Sequence, residues 1–184
     1  MGLPITGKAH EARASSDFIW FVYGSSLDRG AFAEWALGHG YTLPDMSRAR
    51  PVRLYGFRLA FDVASRHFGG AVASLVETEG DFVEGLAAPM PGMARGLVDH
   101  KEGAVSGLFE PFPVIVRDAD GHPLSAIAYR AAPGRRLPAE GTPSLAYLEV
   151  LRRGASESGL SPEWLTRLAR LAGQAALPSG RDTA

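Results

Sequence analysis

Residues 17–37 read DFIWFVYGSSLDRGAFAEWAL, and this stretch carries the clearest fold signal in the chain. Its first part, Asp17 to Tyr23, is an aromatic and β-branched run that is typical of a buried strand. The run breaks at Gly24-Ser25-Ser26. From Asp28 to Leu37 the apolar residues then have helical spacing, with Ser26 or Asp28 as the N-cap. The stretch therefore predicts a strand, a turn and a helix in succession.

The rest of the chain continues with short apolar runs and ends with two helical patterns. We expect further strands at Val52–Asp62, Ala71–Val76, Phe82–Ala88, Phe112–Arg117 and Pro123–Ala131. The last two flank Asp118-Ala119-Asp120-Gly121, a good hairpin signal. We expect helices at Pro91–Lys101, Pro143–Glu157 and Ser161–Leu171. Strands first and helices last favour an α+β fold.

Length and composition predict a single domain that binds neither nucleic acid nor a membrane surface. The chain has 184 residues, of which 46% are apolar, and a formal net charge of -1. This size is typical of a single domain, which we place at 17–172, between a flexible lead-in at 1–16 and a flexible tail at 173–184. The near-neutral balance provides no electrostatic footprint for nucleic acid or anionic lipid.

The absence of cysteine and of long apolar runs excludes further kinds of site and limits where the protein is expected in the cell. Without cysteine there are no disulfides, thiolate metal sites or cysteine nucleophile. No apolar run approaches the roughly 20 residues that cross a bilayer, and residues 1–17 lack the apolar stretch of a signal peptide. We therefore expect a cytoplasmic protein.

Two short motifs are candidates for a functional site. Tyr23-Gly24-Ser25-Ser26-Leu27 turns a strand into a helix, so its amides and hydroxyls are suited to hold a carboxylate or phosphate. On the local sequence alone, a plain turn with Ser26 as a helix cap is the favoured interpretation. In Asp99-His100-Lys101-Glu102-Gly103, burial at a helix C-terminus would raise the pKa of Glu102 and make it a general acid/base. A solvated helix end is the alternative.

Other site classes find no support in the sequence. The five histidines show no spacing typical of a metal site. Dinucleotide-binding, P-loop and α/β-hydrolase motifs are also missing. The sequence therefore contains no motif for a metal site, a dinucleotide or a P-loop nucleotide.

Three separated blocks of sequence resemble the γ-glutamylcyclotransferase family. Tyr23-Gly24-Ser25-Ser26-Leu27 is similar to the family's Y-G-S-N-L loop, and Glu102-Gly103 with Ser106 to Phe109 is similar to its E-G-x-x-x-G-x-Y. The closing helical pair is similar in Pro143-Ser144, Tyr147-Leu148, Gly154-Ala155, Glu157, Gly159-Leu160 and Pro162-Glu163-Trp164. The resemblance runs from about Phe18 to Leu171.

The resemblance implies a small mixed β-barrel flanked by helices, and an enzyme that needs neither metal nor cofactor. Such enzymes act on a small-molecule γ-glutamyl compound, releasing an amine or amino acid as 5-oxoproline forms. By position, Glu102 is the catalytic acid/base, and the substrate-binding residues are Tyr23, Gly24, Ser25, Ser26, Leu27 and Tyr147. A homodimer is one arrangement that the sequence leaves open.

Two positions depart from the family pattern, with Ser26 in place of Asn and Phe109 in place of Tyr. Both changes remove polar groups from the expected pocket and predict a shifted substrate. Two alternatives stay open: a noncatalytic small-molecule-binding protein of the same fold, or removal of a γ-glutamyl protecting group from a larger amine in specialised metabolism.

Overall fold

The computed structural model describes residues 16–175, so the predicted lead-in and tail lie outside the described residues except at their inner ends. The strands are β1 (Phe18–Val22), β2 (Arg50–Ser65), β3 (Gly70–Met90), β4 (Phe109–Arg117) and β5 (Pro123–Ala131). The α-helices are α1 (Arg29–Gly38), α2 (Arg95–Lys101), α3 (Leu145–Glu157) and α4 (Pro162–Ala175). Within this range no helix is long and apolar enough to cross a membrane.

The five strands form a closed barrel in the order β1-β3-β2-β4-β5. Most neighbours are antiparallel, whereas β1 and β5 run parallel and meet at Trp20 and Ile127. Trp20, Leu75 and Tyr129 are among the fully buried side chains that pack this core. The prediction of a mixed β-barrel with helices around it is confirmed.

Strand β3 corrects the sequence prediction of two separate strands at Ala71–Val76 and Phe82–Ala88. The structure has one strand through both, paired with β2 along most of its length. The pairing jumps from Tyr55–Phe82 to Phe57–Glu77, so residues 78–81 bulge outward opposite Gly56. The polar, glycine-containing stretch reads as a turn in the sequence, but a bulge accommodates it without ending the ladder.

The loop after β1 is held in place by α3. The carboxylate of Asp28 caps α1 by accepting from the amide of Ala31 at 3.0 Å, as predicted for one of the two candidate caps. The second carboxylate oxygen of Asp28 accepts from Nε of Arg153 at 2.7 Å. Gly154 packs directly on the backbone of Leu27 and Asp28, where a side chain would overlap. The small residue in α3 therefore sets how closely helix and loop approach.

Residues 132–142, here called the covering segment, connect β5 to α3 along one side of β2. Its amides donate to β2 carbonyls, from Leu137 to Asp62 at 2.6 Å and from Gly141 to Phe61 at 2.8 Å. Thr142 accepts from the amide of Ala71 at 3.1 Å. These bonds fix the start of α3, whose N-cap Ser144 accepts from the amide of Tyr147 at 3.2 Å.

Candidate active site

A cavity of about 450 Å³ opens between the loop after β1, the end of α2 and the hairpin tip that joins β2 to β3. Helix α3 and the start of β4 complete its lining. The side chains and backbone that face it belong to Tyr23, Gly24, Ser25, Trp35, His39, Ser65, His67, Phe68, Val72, Ala73, Lys101, Glu102, Gly103, Leu108, Phe109 and Tyr147. Its volume lies within the range of about 300–1,000 Å³ that is usual for small-molecule pockets.

The loop after β1 presents backbone amides at this cavity. The amide of Leu27 donates to the carbonyl of Gly24 at 3.0 Å, which closes a tight turn. Within residues 16–175, the amides of Gly24, Ser25 and Ser26 have no hydrogen-bond acceptor in the protein. Gly24 and Ser25 line the cavity. Unpaired amides grouped in one turn suit an anionic ligand such as a carboxylate.

Glu102 lies at the C-terminal end of α2, facing the same cavity. The helix ends there because Gly103 adopts the left-handed conformation, with φ of 75°, as the sequence predicts. One carboxylate oxygen of Glu102 accepts a hydrogen bond from Oγ of Ser26 at 2.9 Å. The carboxyl group is thereby oriented next to the loop that carries the unpaired amides.

Burial raises the pKa of Glu102 above its ordinary value, while the charge of Lys101 and the hydrogen bond from Ser26 oppose that rise. A carboxyl with a raised pKa gains and loses a proton more readily near neutral pH than an exposed one. Glu102 is therefore suited to proton transfer rather than to a permanent ion pair.

Two tyrosines of the cavity keep their protons. Burial raises the pKa values of both Tyr23 and Tyr147. The hydroxyl of Tyr23 donates to the backbone carbonyl of Tyr129 at 2.5 Å, inside the barrel. The hydroxyl of Tyr147 accepts from the amide of Ala73 at 3.0 Å, and its own proton has no acceptor among the described residues. Tyr147 is therefore free to donate to a ligand.

Comparisons with known proteins agree with this architecture. Residues 83–168 match the model of the AIG2-like family. A solved gamma-glutamyl cyclotransferase superposes with a TM-score of 0.71 at 23% identity, with 92% of each chain covered. The chain has the γ-glutamylcyclotransferase-like fold. The resemblance seen in the sequence is thus confirmed.

Two further structures with this fold are as similar. An uncharacterized human protein is 24% identical, with a TM-score of 0.71 over 92% of this chain and 93% of its own. YkqA from Bacillus subtilis is 25% identical, also with a TM-score of 0.71. It is matched over 92% of this chain but 58% of its own length. A search of curated protein sequences found no match.

Within the γ-glutamylcyclotransferase-like fold, the structure brings most of the predicted site residues together. Tyr23, Gly24, Ser25, Glu102 and Tyr147 line the cavity. Ser26 is buried and reaches the site through its bond to Glu102, not as part of the cavity lining. Leu27 is placed differently: its side chain lies in the core, and its amide is already paired within the turn.

Sequence reasoning missed several residues that face the cavity, chiefly Trp35, His39, Phe68 and Lys101. From the sequence, Trp35 and His39 are expected only to form part of a helix, and Phe68 only part of a turn. Lys101 is expected only to balance the charge of Glu102. Burial lowers the pKa of Lys101, whose ammonium lies 5.3 Å from the centre of the Trp35 ring. No local pattern in the sequence indicates that these side chains line the same cavity as Glu102.

One cluster of carboxylate and imidazole groups lies outside the cavity, at the turn between β4 and β5. Asp118, Asp120 and His122 approach one another there. The carboxylate of Asp118 accepts from the amides of Asp120 at 3.1 Å and His122 at 2.9 Å, so it closes the turn. These contacts account for the arrangement without a metal ion.

Proposed function

We propose that this chain is a γ-glutamylcyclotransferase-type enzyme that releases an amine or amino acid from a γ-glutamyl compound and forms 5-oxoproline. The observation that carries the proposal is the Glu102 carboxyl, with its raised pKa, bonded to Ser26 beside a turn of unpaired amides. A proton-transfer group and an anion-binding turn in one cavity are what this reaction requires.

The turn provides the binding part of the site. In the proposed complex, the α-carboxylate of the glutamyl group accepts hydrogen bonds from the amides of Gly24, Ser25 and Ser26. The ammonium of Lys101 adds a positive charge to the cavity, and the Tyr147 hydroxyl is available to donate to the substrate. These contacts favour a bent substrate in which the α-amino group approaches the γ-carbonyl carbon.

Glu102 provides the proton transfers. The ionised carboxylate takes a proton from the α-ammonium, and the resulting amine attacks the γ-carbonyl carbon. A new carbon–nitrogen bond closes the five-membered ring, and the original amide bond breaks. Glu102 then gives its proton to the departing nitrogen. As the neutral lactam forms, the ring nitrogen loses a second proton, which Glu102 passes on in the same way, so the amine leaves as an ammonium ion. One carboxyl group serves each transfer because it returns every proton that it takes.

Burial of Glu102 supports an enzyme over a noncatalytic binding protein of the same fold. An open cavity would leave the carboxyl solvated, with an ordinary pKa and little capacity for proton transfer at neutral pH. The pKa of Glu102 is instead raised by burial. A larger amine is the second candidate for the departing half, because the exposed lining residues His39 and His67 lie where the cavity meets solvent.

The proposal is tested by incubating the protein with γ-glutamyl amino acids, glutathione and γ-glutamylamines and measuring 5-oxoproline by mass spectrometry. We expect 5-oxoproline and free amine in equal amounts from at least one member of the panel. Glu102→Gln is the matched control, since it keeps the shape of the side chain. Absence of 5-oxoproline from every compound, with bound substrate detected by calorimetry, would instead identify a binding protein.

A further inference from the structure

Helix α1 contributes an aromatic pair to the cavity that the proposed reaction does not use. The rings of Trp35 and His39 stack with their centres 4.4 Å apart and their planes 25° apart. His39 is fixed by its Nδ1, which donates to the carbonyl of Trp35 at 2.7 Å. The ammonium of Lys101 near the Trp35 ring restrains that side chain as well. We call Trp35 and His39 the first aromatic pair.

A second aromatic pair, Phe68 and Tyr147, faces the same cavity from other elements. Their ring centres lie 4.7 Å apart, at an angle of 57°. Phe68 stands at the hairpin tip between β2 and β3, where its amide donates to Oγ of Ser65 at 3.3 Å. The amide of Ala73 bonds to the hydroxyl of Tyr147 and holds the other ring. Both pairs are thus built from restrained side chains.

The glutamyl half of the substrate has no group that would pack against these aromatic rings. Its carboxylate, amino group and carbonyl are all polar, and the amides of the turn with Glu102 match them. Flat aromatic surfaces instead favour ring-shaped groups, with a gain of about two- to tenfold in binding for each ring pair. The rings therefore point to the chemistry of the departing half.

We propose that the departing half is an amine that carries an uncharged aromatic ring, which contacts both aromatic pairs. The inference rests on the proposed function and names its substrate class. The bonds made and broken are unchanged: the ring-bearing nitrogen leaves with the proton from Glu102. A departing half that carries an ammonium group of its own is disfavoured, because Lys101 already brings a positive charge beside Trp35.

The test compares two γ-glutamylamines of equal size, γ-glutamylbenzylamine and γ-glutamyl(cyclohexylmethyl)amine, with γ-glutamylalanine as a small reference. We expect kcat/KM to favour the benzyl compound by about two- to tenfold over its saturated counterpart. Phe68→Leu should lower that ratio at least about twofold. Binding of both amines to Glu102→Gln by calorimetry should show the same order of affinity.

Phe112→Leu is the matched control, because Phe112 is also a partly buried ring, paired with Phe57 at 5.8 Å but outside the cavity lining. The Phe112→Leu variant should have the same ratio of kcat/KM values for the benzyl and cyclohexylmethyl compounds as the wild-type protein. A ratio near one, or a ratio that Phe68→Leu leaves unchanged, overturns the inference even if γ-glutamylalanine gives 5-oxoproline. If no γ-glutamyl compound gives 5-oxoproline, the proposed function fails, and the inference fails with it.

Discussion

Oγ of Ser26 lies 2.9 Å from Oε1 of Glu102, joining the turn after β1 to the end of α2. The bond explains how a shorter side chain can stand at a position where the family pattern has Asn. Ser26 is buried and bonds to the carboxyl group itself. Ser26 therefore affects the protonation of Glu102.

Ser26→Ala should shift the pH dependence of activity. A hydrogen bond to the ionised carboxylate lowers the pKa of Glu102, so its loss raises that pKa. If the ionised form starts the reaction, kcat/KM falls as pH drops through the pKa of Glu102. The acid limb of the profile should therefore move to higher pH. Ser106→Ala is the control, since Oγ of Ser106 bonds to the carbonyl of Gly103 instead, and its limb should stay in place.

Glu102→Gln should abolish turnover and leave the fold intact. General acid/base groups contribute about 100- to 10,000-fold in rate. The release of 5-oxoproline from an established substrate should fall by that factor, with an unchanged circular dichroism spectrum. Nearly full activity in this variant would remove Glu102 from the mechanism.

The same substitution should change stability with pH in a defined direction. Because burial raises the pKa of Glu102, the folded state binds its proton more readily than the unfolded chain does. Ionisation of Glu102 therefore destabilises the fold as pH rises above the unfolded value of about 4.3. Glutamine does not ionise. Urea titrations should show Glu102→Gln gaining free energy of unfolding, relative to wild type, as pH rises above about 4 and until Glu102 is ionised in the folded protein.

Gly24→Val should weaken ligand binding more than stability. A Cβ atom at Gly24 meets nothing within 4 Å, and the φ of -98° is open to any residue. The added methyl groups stand beside the amides that are proposed to hold the α-carboxylate, so we expect about a tenfold or greater loss of affinity. Calorimetry in the Glu102→Gln background and a thermal melt measure the two effects. Equal losses in both would identify a purely structural glycine.

Ser26→Asn combined with Phe109→Tyr should change substrate preference. The pair restores the amide and the phenol that the family pattern has, and an unpartnered polar group costs about 1 to 3 kcal/mol. Activity toward simple γ-glutamyl amino acids should rise relative to bulky or apolar γ-glutamylamines, by roughly one to three orders of magnitude. If the ratio is unchanged in the folded double variant, the discriminating contacts lie elsewhere in the cavity, near Tyr147 or His39.

Gly154→Ala should destabilise the protein because α3 has no room for a side chain at the turn. The added Cβ would overlap the backbone at Leu27 and Asp28. We expect a loss of about 1 to 3 kcal/mol in the free energy of unfolding, by denaturant titration. Gly96→Ala in α2 is the matched control: its Cβ meets nothing within 4 Å, so helix propensity alone should stabilise by about 0.5 to 1 kcal/mol.

Local sequence signals identified most of the elements and part of the site. The strand before Gly24, the cap Asp28 and the helix end at Gly103 each lie where the pattern predicts them. These features depend on neighbours within a few residues. The barrel and the position of Glu102 came from the resemblance, which spans most of the domain.

Features that depend on contacts between residues far apart in the chain could not be predicted from local sequence signals. The Ser26–Glu102 bond spans 76 positions, and no local pattern encodes it. Trp35 and Phe68 are apolar, and hydrophobic periodicity does not distinguish a cavity from a core. The continuity of β3 was missed for a related reason, since its polar middle bulges out of the ladder while the residues on either side of it pair with β2.

The covering segment also protects the sheet against other molecules. At the irregular pairing between Ala60 and Val63, the carbonyl of Phe61 accepts from the amide of Gly141 and the carbonyl of Asp62 accepts from the amide of Leu137. The amide of Phe61 donates to the carboxylate of Glu140 at 3.1 Å. Unoccupied, these groups would form a template on which a second chain could add a strand and begin to aggregate. The connection to α3 therefore protects this irregular part of β2 against the addition of a strand from another chain.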